Sequence, residues 1–222
     1  MFEAPLEVLE GVDHWLSGLM SGAPLLVALA VACLLGLRHA SDPDHLIAVS
    51  SLAAGNKDAS GAVRLGTWWG LGHAATLLAV GLPLLLLQSE LPPWLEGAAE
   101  KAVGIVIVLL ALRVLVRRLH GVSRGETQAR SAHQALGIGV LHGVAGSGAV
   151  VVLLMAQLPS ESEAAFALLA FAPMSMLSMV LCTSGFAWAF TRPAVAPLYN
   201  SLLVPALGVL SLMFGGWYAG IL

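Results

Sequence analysis

The sequence predicts an all-α integral membrane protein with about six transmembrane helices, the first of them broken near Pro43. Three observations predict it. The 222 residues are 58% hydrophobic and only 10% charged, whereas a soluble domain carries about 25% charged residues. The mean hydropathy is +0.88. The apolar residues fall in long runs between short polar joints, and crossing a bilayer core of about 30 Å takes roughly 20 helical residues.

Residues 1–21 have no basic n-region and no small-residue cleavage site, so they do not read as a cleaved signal peptide. Leu6, Leu9, Val12, Leu16 and Leu19 recur at helical spacing, with Glu3, Glu7, Glu10 and Asp13 between them. The segment reads either as an amphipathic helix lying at the membrane surface or as a frayed terminus. His14 within it reads as a surface residue. Six apolar segments follow, at 23–54, 63–88, 99–119, 134–158, 163–190 and 198–221. The first is too long for one straight crossing and contains Pro43. Trp68, Trp69, Trp94 and Trp217 stand near segment ends and read as interfacial anchors. Cys33 and Cys182 lie in apolar runs and read as packing residues.

Charge placement sets an orientation. Lys57, Arg64, Arg113, Arg117, Arg118, Arg124, Arg130 and Arg192 gather at the joints 55–62 and 120–133 and beside 192. Acidic residues dominate the other ends. The positive-inside rule makes the basic side cytoplasmic and puts both termini outside. Arginine outnumbers lysine eight to two, a bias that points to a GC-rich bacterial genome and hence to a bacterial cytoplasmic membrane.

We expect a single transmembrane domain over 1–222, made of two three-helix units at 23–119 and 134–222. A shift of 103 residues lays GLRHASDPDHLIAV (36–49) on GVLHGVAGSGAVVV (139–152), pairing Gly36 with Gly139 and His39 with His142. An odd number of helices per unit makes such a 3+3 repeat inverted, a recurring transporter plan. The same shift sets His73 on Met176. Met174, Met176 and Met179 read as gap-filling residues or as thioether donors.

The stretch GLRHASDPDH (36–45) concentrates Arg38, His39, Asp42, Asp44 and His45 inside apolar surroundings. Each Asp or Arg at membrane depth costs about 2.5–3.5 kcal/mol on insertion scales. An Arg–Asp pair would account for Arg38 and one carboxylate, and would leave two imidazoles and a second carboxylate unexplained. On a straight helix His39 and His45 point about 120° apart. Pro43 removes a backbone N–H and pushes Asp42 from helical geometry. We expect the resulting break to gather His39, Asp44 and His45 around one point and to expose the His39 carbonyl. Imidazole with carboxylate and no thiolate suits nickel, copper, zinc or cobalt ions. A hydrogen-bonded polar cluster that stiffens a kink is the structural alternative.

The run His39, Ala40, Ser41, Asp42, Pro43, Asp44, His45, Leu46 resembles the H-x4-D-H signature of the nickel/cobalt transporter family, whose fuller form is close to H-A-x-D-A-D-H-[IL]. Pro43 is the one departure. GLGHAAT, containing His73, resembles the L-G-H-[SA] motif in the family's next helix. The likeness covers residues 36–80, and LHGVAGSGA (141–149) is similar to shorter members of the wider family. The better-known uptake members have about eight helices. The efflux branch carries a histidine-rich loop, where residues 120–133 hold only His120 and His133.

The resemblance implies a permease for divalent nickel or cobalt, not an enzyme. His39, Asp44 and His45 would form the main site, with Asp42 as an additional group and His73 as a further ligand. His142 reads either as a polar contact in a small-residue packing face or as a cavity residue opposite His39. Arg38, Ser147 and Met176 complete the candidate pathway. The competing reading is an integral-membrane zinc hydrolase using the same His/Asp cluster, with Ser147 beside His142. A haem site with paired histidines is disfavoured by the acids beside both. No Walker-type motif is present, so energy would come from an ion gradient, the membrane potential or a partner. The expected partners are the ion and the bilayer. No resident cofactor and no nucleic acid are expected.

Overall fold

The computed structural model describes residues 3–53, 59–120, 131–192 and 199–222. Lys57, Arg124 and Arg130 of the basic joints lie outside the described residues. The order is α1 (Glu3–Gly18), α2 (Leu25–His39), α3 (Pro43–Ala53), α4 (Ala59–Leu86), α5 (Pro93–Leu119), α6 (Ala132–Gln157) and α7 (Glu161–Thr191), then a π turn (Tyr199–Leu203) and α8 (Val204–Tyr218). Among the described residues there is no strand.

Ser60–Leu86, Ala132–Gln157, Glu161–Ala189 and Ser201–Tyr218 are each long and apolar enough to cross a membrane, and the bent pair α2–α3 is a broken span or a re-entrant loop, giving four or five spans among the described residues. The chain is therefore a multi-pass membrane protein. The sequence predicts one or two spans more. α5 has 27 residues, about 40 Å at the helical rise, but every 18-residue window in it holds at least three charged residues. Caps fix two starts. Ser131 accepts the Gln134 N–H, and Ser160 accepts the Glu163 N–H at the head of a helix whose first turn carries Glu161 and Glu163, charges that suit the positive helix end.

The break falls where Pro43 predicts it. The Ser41 and Asp42 amides donate to the Arg38 and His39 carbonyls at 2.7 and 3.1 Å, and the Asp42 carbonyl then accepts the Leu46 N–H. Pro43 becomes the first residue of α3, where its missing N–H costs nothing, and the axes of α2 and α3 differ by 51°. One expectation fails here. The His39 carbonyl is not left without a partner, because the tight turn hands it the Asp42 amide.

α4 packs against both α6 and α7, α2 against α7, and α5 against α8. Glycines permit the close approaches. A Cβ at Gly36 would stand 2.5 Å from the Phe171 carbonyl oxygen, and one at Gly139 would collide with the Trp69 carbonyl. Small residues let helix backbones meet in this way within a membrane. Leu26, Leu34, Leu109, Phe166, Leu181 and Trp188 point outward, as lipid-facing positions should.

The interior has two apolar ends. Met20, Val31, Leu35, Leu77, Leu154, Leu168 and Phe171 pack at the α1 end. Ala48, Leu65, Trp69, Ala135 and Met179 pack at the other. Leu16 of α1 rests on the first cluster, while Trp15 and Leu19 are exposed, so α1 is folded onto the bundle rather than frayed.

Candidate metal centre

The break turns α3 so that its first turn faces the end of α2, and α4 brings one more imidazole. His39, His45 and His73 each offer a ring nitrogen, and these atoms all lie within 4.8 Å of one another. His39 Nε2 and His73 Nε2 are 3.0 Å apart. The His45 ring centroid stands 4.5 Å from that of His39 and 5.3 Å from that of His73. His45 and His73 are buried, and neither His45 Nε2 nor His73 Nδ1 has a hydrogen-bond partner. Orphaned ring nitrogens inside a protein call for an explanation. Three imidazoles converging, two of them with an unpartnered ring nitrogen, suit a metal ion.

The two aspartates stand behind the imidazoles. His45 Nδ1 is 3.0 Å from Asp44 Oδ1, the arrangement of an N–H donating to a carboxylate. His39 Nδ1 is 3.3 Å from Asp42 Oδ2. Carboxylates that take the Nδ1 proton fix the tautomer, orient the ring and leave the Nε2 lone pair for a metal. Asp44 was expected beside His39 and His45 around one point. Its Oδ1 meets His45 Nδ1 while it also lines the cavity, and His73 joins His39 and His45 in the cluster.

Arg38 donates to three carboxylate oxygens. Its Nε reaches Asp13 Oδ1 at 2.6 Å, its Nη2 also bonds Asp13 Oδ2, and Nη2 reaches Asp42 Oδ1 at 3.0 Å. A contact chain thus runs from α1 through Arg38 and Asp42 to His39. The guanidinium is balanced by two carboxylates, which answers its cost at membrane depth.

A cavity of about 360 Å³ opens over the cluster, lined among others by Asp13, Arg38, Asp42, Asp44, Glu100 and His142. His39 and His45 form part of its lining and His73 lies behind them. Phe171 meets His39 on one side, and Trp69 meets His45 at 5.7 Å. His142 is buried. Its Nδ1–H donates to the Ile138 carbonyl at 3.0 Å, and its Nε2 has no partner.

Other expectations separate cleanly. Ser147 is fully buried, and its hydroxyl donates to the Val144 carbonyl, away from the cavity lining. Met176 packs on Gly70 and does not line the cavity. Trp69 is no interfacial anchor: it is fully buried beside His45 and His142. Trp68, Trp94 and Trp217 are exposed. His14 is exposed yet lines the cavity mouth. Sequence reasoning missed Asp13, Glu100, Tyr218 and Phe171 as lining residues. An acid on the cavity side of a terminal amphipathic helix was a signal for Asp13. Nothing local marked Phe171.

An all-helical, multi-pass chain with buried imidazoles meeting under an acid-lined cavity has the build of a membrane transport protein rather than an enzyme. The chain is 28% identical over 212 residues to the urease accessory protein UreH of Bacillus sp. (strain TB-90), covering 90% of this chain and 93% of that one. It is 25% identical over 261 residues to the high-affinity nickel transport protein of Cupriavidus necator, covering 92% of this chain and 74% of that one. No family model matches the chain, and no solved structure matches it. With likeness extending over nine-tenths of its length, the chain is similar to a nickel transport protein and to a urease accessory protein.

Proposed function

We propose that the chain is a permease for divalent transition-metal ions, nickel or cobalt, which bind as substrate at His39, His45 and His73. The single observation that carries this reading is the convergence of three histidine ring nitrogens, two of them on buried residues, beside an acid-lined cavity in a membrane-spanning chain. The name of the Cupriavidus relative supports nickel. Two nitrogens each about 2.1 Å from one ion and at right angles to each other stand about 3.0 Å apart. The spacing of His39 Nε2 and His73 Nε2 matches that.

Asp13 of α1 and Tyr218 at the end of α8 line the same cavity, so it opens at the end where both terminal helices lie. The charge bias of the joints supports that end being extracytoplasmic. Carboxylates around the mouth concentrate cations there. The apolar cluster around Trp69, Leu65 and Met179 closes the opposite end. Passage then requires that cluster to open while the cavity mouth shuts.

The test is flux of Ni2+ and Co2+, offered separately, into sealed proteoliposomes, comparing the native chain with His45→Ala. Uptake by the native chain that disappears in the variant is the expected result. Binding without movement, with an imposed ion gradient and membrane potential, would sink the permease reading.

A further inference from the structure

His142 is the one buried cavity imidazole that the three-histidine site does not use. We infer that it forms a second station for the divalent cation in the same cavity, as the counterpart of His39 in the second half of the chain. The inference rests on the permease reading and extends it.

Helix contacts supply the equivalence. At Gly36 a Cβ would meet the Phe171 carbonyl and the Ser175 amide. At Gly139, 103 residues on, it would meet the Trp69 carbonyl and the His73 amide. Phe171 and Ser175 stand 102 residues beyond Trp69 and His73. The same two offsets relate other contacts. The Ala40 amide meets Ser178 Oγ, and Gly143 meets Thr76. Gly66 meets Thr183, and Gly81 meets Leu168. These three contacts between the halves therefore recur with the roles of the halves exchanged, as an inverted repeat demands. α6 answers α2–α3 at a shift of 103, and α7 answers α4 at 102. Under this register His73 pairs with Ser175, not with Met176, while His39 pairs with His142.

The rest of the motif is stripped from the second half. Asp42, Pro43, Asp44 and His45 correspond to Ala145, Gly146, Ser147 and Gly148, so α6 runs on unbroken. Ala145, Gly146 and Ala149 line the cavity. The lost side chains are the space through which an ion reaches His142. What remains is an imidazole prepared as a donor. The Ile138 carbonyl takes the Nδ1 proton, which leaves the Nε2 lone pair buried and unpartnered. The His45 ring centroid is 5.3 Å away, equal to its separation from His73, and His45 Nε2 is also unpartnered. His45 thus stands next to both stations. Asp44 and Glu100 line the same space and offset the ion's charge.

The test uses Co2+ with the full chain. In detergent, the double variant His39→Ala/His73→Ala removes the first site. It is expected to retain Co2+ binding about tenfold or more weaker than native, and to lose it when His142→Asn is added. Asn keeps a donor for the Ile138 carbonyl and deletes Nε2. In proteoliposomes, His142→Asn alone is expected to raise the Co2+ concentration for half-maximal flux by about tenfold, with native thermal melting as the folding check and His142→Ala as a second variant. Residual binding that persists without His142, or flux unchanged in both variants, overturns the station and leaves the three-histidine site standing. A native chain that binds no Co2+ overturns both.

Discussion

His39 and His73, 34 positions apart in sequence, hold their Nε2 atoms 3.0 Å from one another. One of the two rings donates its Nε2 proton to the other. His73 Nδ1 is buried without a partner. An ion that takes both Nε2 atoms must displace that shared proton. Removing either ring deletes a ligand outright. His73→Ala is expected to lower Ni2+ or Co2+ flux by about tenfold or more. Initial uptake rates at fixed ion concentration read this directly, and unchanged rates would remove His73 from the site.

The aspartates behave differently from the imidazoles they support. Asp44→Asn and Asp42→Asn leave the Nε2 donors present but loosen their orientation and basicity. Loss of such a support costs about 10–100-fold in metal affinity. Each variant is expected to bind Co2+ more weakly in that range, while His45→Ala abolishes binding at this site. Equal losses for Asp44→Asn and His45→Ala would make Asp44 a direct ligand.

Acid should oppose the ion. Binding needs imidazole lone pairs, and a protonated imidazole lacks one and repels a cation. Flux is therefore expected to fall as the pH on the cavity side is lowered and to recover on return to neutrality. Flux that rises with acid at fixed membrane potential would contradict a neutral-imidazole site.

Helix approach at Gly139 is predicted to be intolerant. A methyl group there meets the Trp69 carbonyl and, at 3.0 Å, the His73 amide. These are rigid backbone atoms, so α6 must shift away from the helix that carries His73. Gly139→Ala is expected to cost about 1–3 kcal/mol of stability, read by thermal unfolding in detergent. Gly137→Ala is its control, since a Cβ there meets nothing within 4 Å.

The Asp13–Arg38 pair ties α1 to the cavity, and Arg38 is shared with Asp42. Asp13→Asn removes the charge that holds this tie. Faster amide hydrogen exchange is expected over residues 11–20, with the core of α4 unchanged. Exchange identical to native would show that Leu16 and Met20 alone hold the helix down.

Much of the fold was legible because a membrane leaves few choices. Long apolar runs must become helices, since every backbone group needs a partner in lipid. Pro43 announced the break in the first span, because a residue without an N–H starts a helix better than it continues one. α5 was harder to place. Its charges at both ends follow from length and composition, but whether they sit at interfaces depends on depth, which a one-dimensional pattern does not carry.

The sequence by itself determined that His39, Asp42, Asp44 and His45 are gathered on a broken helix and that His73 stands one helix on. Side-chain type and local backbone chemistry settle such things. Only the tertiary structure decided which groups meet at one point. It turned Asp44 behind His45, brought His73 within 3.0 Å of His39, closed Trp69 against His45 and His142, and joined Asp13 to Arg38. These outcomes depend on the direction each helix presents after packing. That direction is set by which glycines admit a neighbour's backbone, a property of pairs of segments that no single stretch of chain contains.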